Sequence, residues 1–210
     1  QIQKKKKLIK TKITMICCKE KLKYVLHYVR ETFKDYSVQY KIFDFFGLLS
    51  LVLRNIAESY SHLLYSYKHH ICFKKVEAYL TGRVIHKYHD VDKIVMYALF
   101  PWLGVECINY IHTLWQDHHP CYKDLDGNKA YKPKDEVEWT EAVVDWECAR
   151  FTKPDKPLNA YDTYLKYYYT SEYTGVIINI LISLGLLSVK TTDAGVVYKV
   201  TDKMDDFKYK

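Results

Sequence analysis

Apolar positions recur at helical spacing along most of the chain. In residues 19–34, Leu22, Val25, Leu26, Val29 and Phe33 fall on one side of a helix, with His27 off that stripe. Residues 42–80 predict long helical segments with a break at Gly47, and Glu58, His62 and His69, at intervals of four and seven, lie near one face. After Gly82 the run RVIHKYHDVDKIVMYALF predicts a further helix on which His86 stacks over Asp90 and His89 over Lys93. Pro101 and Gly104 mark a bend before a helix over 105–118, which stops near Pro120. Residues 122–136 form an exposed turn region, whose DLDG lacks the later ligands of a calcium loop. Helical periodicity returns at 137–151, where Trp139, Val143, Trp146 and Phe151 can pack while Asp145 faces the histidines. A proline-bearing linker, KPDKPLN, precedes a tyrosine-rich stretch of one or two helices. The chain then alternates around Asp193-Ala194-Gly195 as a small hairpin.

The fold class expected is therefore all-α, or mainly helical, with a small C-terminal β-hairpin. Seven Gly and five Pro in 210 residues agree with that, and 49% hydrophobic residues suffice for a sizeable core. Six lysines among the first twelve residues account for nearly all of the net charge of +7. The excess thus marks an arm with weak nucleic-acid contact, not a basic face on the folded domain. Six cysteines without a CxxC pair point to reduced thiols and a cytoplasmic protein. The most apolar runs, Phe45–Leu53 and Val176–Leu187, are too short or interrupted for a transmembrane span. Walker A, dinucleotide and GxSxG patterns are absent, as is the zinc-deaminase combination.

Histidines concentrate between His69 and Asp145: His69-His70, His89 next to Asp90, His112, and His118-His119. Neutral imidazoles and ionised carboxylates from several helices suit a divalent metal such as Mn, Fe, Zn, Co or Mg.

The order of these residues resembles the HD-domain superfamily of metal-dependent phosphohydrolases. That family draws an early histidine, a His-Asp pair and a late aspartate from different helices, here His70 or His69, His89-Asp90 and Asp145, and HDVDK resembles its His-Asp-x-x-Lys run. His112, His118 and His119 resemble the extra histidines of two-metal members. More narrowly, HDVDK, a histidine-rich helix end with HHP, and VVDW look like a small helical family of bacteria and phages.

The resemblance implies an HD-like helical bundle. It covers about residues 55–170, within a chain that divides into a basic arm at 1–14, a helical extension at 15–54, a metal-binding domain at 55–187, and a hairpin and tail at 188–210. It further implies one or two divalent ions on His70, His89, Asp90, His112, His118, His119 and Asp145. The substrate would be a nucleotide or another small phosphorylated molecule. Asp90, Lys93 and Glu58 are the expected catalytic side chains, with Glu58 and Glu147 placed to orient water or ligands. Two other readings stay open. One is an iron oxygenase using the same His and carboxylate ligands. The other is an inactive, phage-associated interaction protein that binds a partner or itself through Tyr161, Tyr164, Tyr167, Tyr168 and Tyr169.

Overall fold

The computed structural model describes residues 21–31 apart from 28, residue 34, and residues 45–209 apart from 125, 127, 133, 154–157, 170 and 194. The arm at 1–14, Cys17, Cys18, Phe33 and most of KPDKPLN lie outside the described residues. The chain is mainly helical: residues 21–27 and 29–31 are helical, followed by α1 (Phe45–Thr81), α2 (Val91–Leu99), a 3-10 turn (Pro101–Leu103), α3 (Gly104–Trp115), α4 (Glu136–Thr152), α5 (Ala160–Tyr167) and α6 (Thr174–Ser183). Two antiparallel hairpins accompany them, β1 (Cys121–Lys123) with β2 (Lys129–Tyr131), and β3 (Leu187–Thr192) with β4 (Gly195–Val200). Among the described residues no single helix is long and apolar enough to cross a membrane. The chain divides into two compact units, Gln1–Tyr60 with Met96–Lys132, and Ser61–Val95 with Pro133–Lys210.

In the first unit α1 runs through Gly47 without the expected break. Leu51, Asn55 and Ser59, four apart, are buried along one stripe. The polar pair receives the 3-10 turn: Asn55 Nδ2 donates to the Trp102 carbonyl at 3.1 Å and Ser59 Oγ to the Pro101 carbonyl at 3.0 Å. Gly104 follows at φ +78, and a Cβ there would meet Asn55 Nδ2 at 3.1 Å, so both backbone angle and space require glycine. From this corner α3 buries Cys107, Ile108, His112 and Leu114. The stretch read as an exposed turn carries the β1–β2 hairpin, because Asp124 Oδ1 accepts the amides of Asp126 and Asn128 and closes the loop. Leu22 and Leu26 of the N-terminal stripe are exposed rather than packed.

The second unit holds the larger core, in which Cys72, Phe73 and Val76 of α1 pack with Trp139, Ala142, Val143 and Cys148 of α4 and with Ile177 and Leu181 of α6. Full burial of each large apolar side chain is worth about 1.5–3 kcal/mol. A capping box fixes where α4 starts: Asp135 accepts from the Glu138 amide while Glu138 returns to the Asp135 amide. Glu147, 2% exposed, accepts the Ala160 amide and pairs with Arg150, which ties the start of α5 to α4. The tyrosine-rich segment does not form one exposed patch. Tyr164 and Tyr168 enter the core, Tyr168 stacking on Trp146 at 4.9 Å, while Tyr167 and Tyr169 stay exposed.

The stretch after Gly82 departs most from expectation. Gly82, at φ +76, ends α1, and 83–90 is not helical; α2 begins only at Val91. The predicted helical stacking of His86 on Asp90 and of His89 on Lys93 is therefore replaced by a turn segment. Its cause is Glu77, 1% exposed, whose carboxylate accepts the amides of Ile85 at 2.8 Å and His86 at 3.1 Å. A buried carboxylate takes backbone donors that a helix would have used itself.

Candidate metal centre

Ligand-type side chains gather in each unit. In the second unit, His69 belongs to the buried stripe His69, Cys72, Phe73, Val76, Glu77 and Leu80 of α1, so its imidazole points into the core. Asp145 lies on the face of α4 that also carries Glu141, Cys148 and Thr152, at intervals of four, three and four. His89 comes from the turn segment and lies flat on Phe73, with ring centroids 3.7 Å apart and an interplanar angle of 12°.

These residues converge. His69 Nε2 is 2.7 Å and His89 Nε2 3.4 Å from Asp145 Oδ1, and the three ligand atoms lie within 4.8 Å of one another. The outward nitrogens are held too: His69 Nδ1 meets Thr152 Oγ1 at 2.9 Å, and His89 Nδ1 meets Glu141 Oε1 at 3.0 Å. His69, not its neighbour, supplies the early imidazole of this group. His70 instead donates from Nδ1 to the His89 carbonyl at 2.6 Å, steadying the turn, and burial pushes its imidazole below the ordinary range despite that bond.

Asp90, 3% exposed, adopts φ +58, a left-handed conformation rare outside glycine that Asp tolerates better than most residues. Its Oδ2 accepts from Lys93 Nζ at 3.1 Å and its Oδ1 lies 3.6 Å from His89 Nε2.

The field in this pocket favours a cation. Burial works against the His89 imidazolium, but Asp90, Asp145 and Glu141 outweigh it and carry the group up to about 10. Burial would likewise raise the Asp145 carboxyl, yet hydrogen bonds from His69 and His89 hold it well below the carboxylate range. The proton on His89 offsets the carboxylates here, and a divalent ion between the same atoms would offset them too. The donor set of two imidazoles and a carboxylate, with both imidazoles braced from outside, fits such an ion.

Nearby groups are kept neutral. Burial drives the Tyr65 phenol, stacked on His69 at 5.8 Å, and the Cys148 thiol, 3.6 Å from His69 Nδ1, well above their usual values. Cys148 is thus a thiol rather than a thiolate nucleophile.

In the first unit His112, buried in the last turn of α3, gathers with His118 and His119. Ring centroids lie 5.3, 4.7 and 4.3 Å apart, and one nitrogen of each falls within 4.8 Å of the others. Lys132 fixes the segment that carries the last two, its Nζ donating at 2.6 Å to the carbonyls of both Thr113 and Gln116 at the end of α3. Glu58 sits half exposed, 3.8 Å from Arg54, and Glu147 serves α5 as described.

Sequence reasoning missed Glu141 and Thr152. Their signal was present: they stand four before and seven after Asp145, on its own helical face. No family model, no curated protein and no solved structure matches this chain, so the geometry stands by itself as a helical fold whose clustered His and Asp residues can coordinate a metal.

Proposed function

We propose that the chain is a metal-dependent phosphohydrolase acting on a nucleotide or another small phosphoester. One observation carries the metal part of this reading: His69 Nε2, His89 Nε2 and Asp145 Oδ1 converge in a buried, carboxylate-rich pocket with both imidazoles braced from outside. The phosphoryl part rests on the ordered resemblance to HD-type enzymes. His69, His89 and Asp145 would hold a divalent ion, which would supply polarisation of a phosphoryl oxygen and a bound water of lowered pKa. The His112, His118 and His119 group supplies ligands for a second ion. Lys93, kept in place by Asp90, offers positive charge to a phosphate, and Asp90 adds a carboxylate beside His89.

The test is elemental analysis of protein purified without added metal or chelator, beside a His89→Ala, Asp145→Ala double variant, followed by a phosphate-release screen of nucleotides and phosphoesters. One or two equivalents in the parent, one fewer in the variant, and metal-dependent phosphate release are the expected results. Folded protein that takes up no metal even on reconstitution would sink the proposal.

A second reading has its own support, since two histidines and one carboxylate are also the ligand set of non-haem iron oxygenases. Bound iron with oxygen consumption and no phosphate release would move the assignment there.

A further inference from the structure

We propose that Glu141, anchored through His86 to the buried Glu77, is the positioning residue of the metal centre: it holds a proton on His89 Nδ1 and so leaves Nε2, the nitrogen facing Asp145, as the ligand atom. The inference rests on the metal reading above and adds a residue to it.

The two imidazoles are braced by chemically different partners. Thr152 has a hydroxyl, which can donate or accept; its Oγ1 lies 2.9 Å from His69 Nδ1 and 3.3 Å from the Cys148 carbonyl. It can therefore follow His69 through either tautomer. Glu141 is a carboxylate and only accepts, so the contact of 3.0 Å with His89 Nδ1 is compatible only with a proton on that nitrogen. Of the two bracing residues, Glu141 alone dictates which nitrogen stays open to a metal.

Glu141 is itself held. Its second oxygen lies 3.6 Å from His86 Nε2, and His86 Nδ1 donates to Glu77 Oε1 at 2.5 Å. Glu77 in turn is pinned by the Ile85 and His86 amides. Carboxylate and imidazole alternate from Glu77 through His86 and Glu141 to His89, and the chain ends at the ligand atom. His89 belongs to a turn segment with no helix to orient it, so its direction comes from Phe73 beneath the ring and Glu141 at its edge. A carboxylate partner on the far nitrogen also makes the imidazole a stronger ligand.

The experiment measures zinc affinity by competition with a chromophoric chelator, for the parent chain and for Glu141→Ala, Glu141→Gln, His86→Ala and His89→Ala. His89→Ala identifies the equivalent in question by abolishing it. For that equivalent Glu141→Ala is expected to bind about 10- to 100-fold more weakly. Glu141→Gln, whose carbonyl can still accept from Nδ1 but carries no charge, should recover part of the loss, and His86→Ala should lose less than Glu141→Ala. Graded rescue by glutamine at unchanged circular dichroism separates positioning from mere support of the fold. If Glu141→Ala does not fold, Glu141→Gln carries the test.

Parent-like affinity in folded Glu141→Ala, or in Glu141→Gln when the alanine variant fails to fold, would overturn the role of Glu141 while leaving the metal site standing. A parent chain that binds no zinc, or a His89→Ala variant that keeps every equivalent, would overturn both.

Discussion

Glu77→Ala should unfold the turn that presents His89, at a cost worked out from three contacts. The carboxylate accepts two backbone amides, from Ile85 at 2.8 Å and His86 at 3.1 Å, and the His86 Nδ1 proton at 2.5 Å, all at a side chain 1% exposed. A buried donor left without its acceptor costs about 1–3 kcal/mol. The His86 ring, 17% exposed, finds water in compensation, whereas the two amides lose an acceptor that is itself only 1% exposed. The expected loss is therefore about 3–5 kcal/mol, a large share of ordinary domain stability. Glu77→Gln keeps one acceptor oxygen and should lose about half as much.

The same pair carries a pH signature. The hydrogen bond that His86 donates to Glu77 raises the His86 imidazole, against a smaller opposing effect of burial. A histidine raised in the folded state contributes stability that is complete below the unfolded value of about 6.5 and fades as pH rises through the folded value. Glu77→Gln should flatten that slope. Urea unfolding gives the free energies, and amide exchange at Ile85 and His86 reads the turn directly. A Glu77→Ala loss below about 1 kcal/mol, or exchange no faster than in the parent, would refute the argument that this carboxylate shapes the segment.

Two further predictions concern the first unit and the thiols. Lys132→Ala removes both donors from the end of α3 and should destabilise the protein by about 1–3 kcal/mol in thermal or urea melts; an unchanged midpoint would show that the clamp contributes nothing. With a thiol-specific disulfide reagent at pH 8, half-buried Cys121 should react well before Cys72, Cys107 and Cys148, which open only with unfolding, since burial alone pushes Cys107 up to about 11. Rapid labelling of Cys107 in folded protein would contradict its placement.

Helices with one apolar stripe were legible in the sequence, and for a physical reason. Along α4, burial of Trp139, Val143 and Trp146 fixes the rotation of the whole helix, so Asp145 could be placed toward the histidines before any coordinates. The choice between His69 and His70 was legible by the same rule, had the stripe His69, Cys72, Phe73 and Val76 been followed back one turn. For Glu58, a spacing of four to His62 and a further seven to His69 says only that the residues share a side of a helix. The buried stripe in that half of α1 passes through Asn55 and Ser59, one position away, which turns Glu58 toward Arg54 and solvent.

What sequence periodicity cannot supply is an interaction that overrides it. Residues 85–90 lie in a stretch of helical spacing, yet they form a turn because a carboxylate eight and nine residues earlier captures the amides of Ile85 and His86 and a glycine has already ended the preceding helix. No pattern within the segment encodes a competitor that lies outside it. The consequence is chemical as well as structural. On a continuous helix, His89 and Asp90 would diverge by about a quarter turn. With Asp90 in the left-handed region after a turn, its carboxylate comes within 3.6 Å of the His89 ligand nitrogen. The departure from helical expectation is therefore what brings an adjacent His-Asp pair to bear on one pocket, and Glu77 is the residue that enforces it.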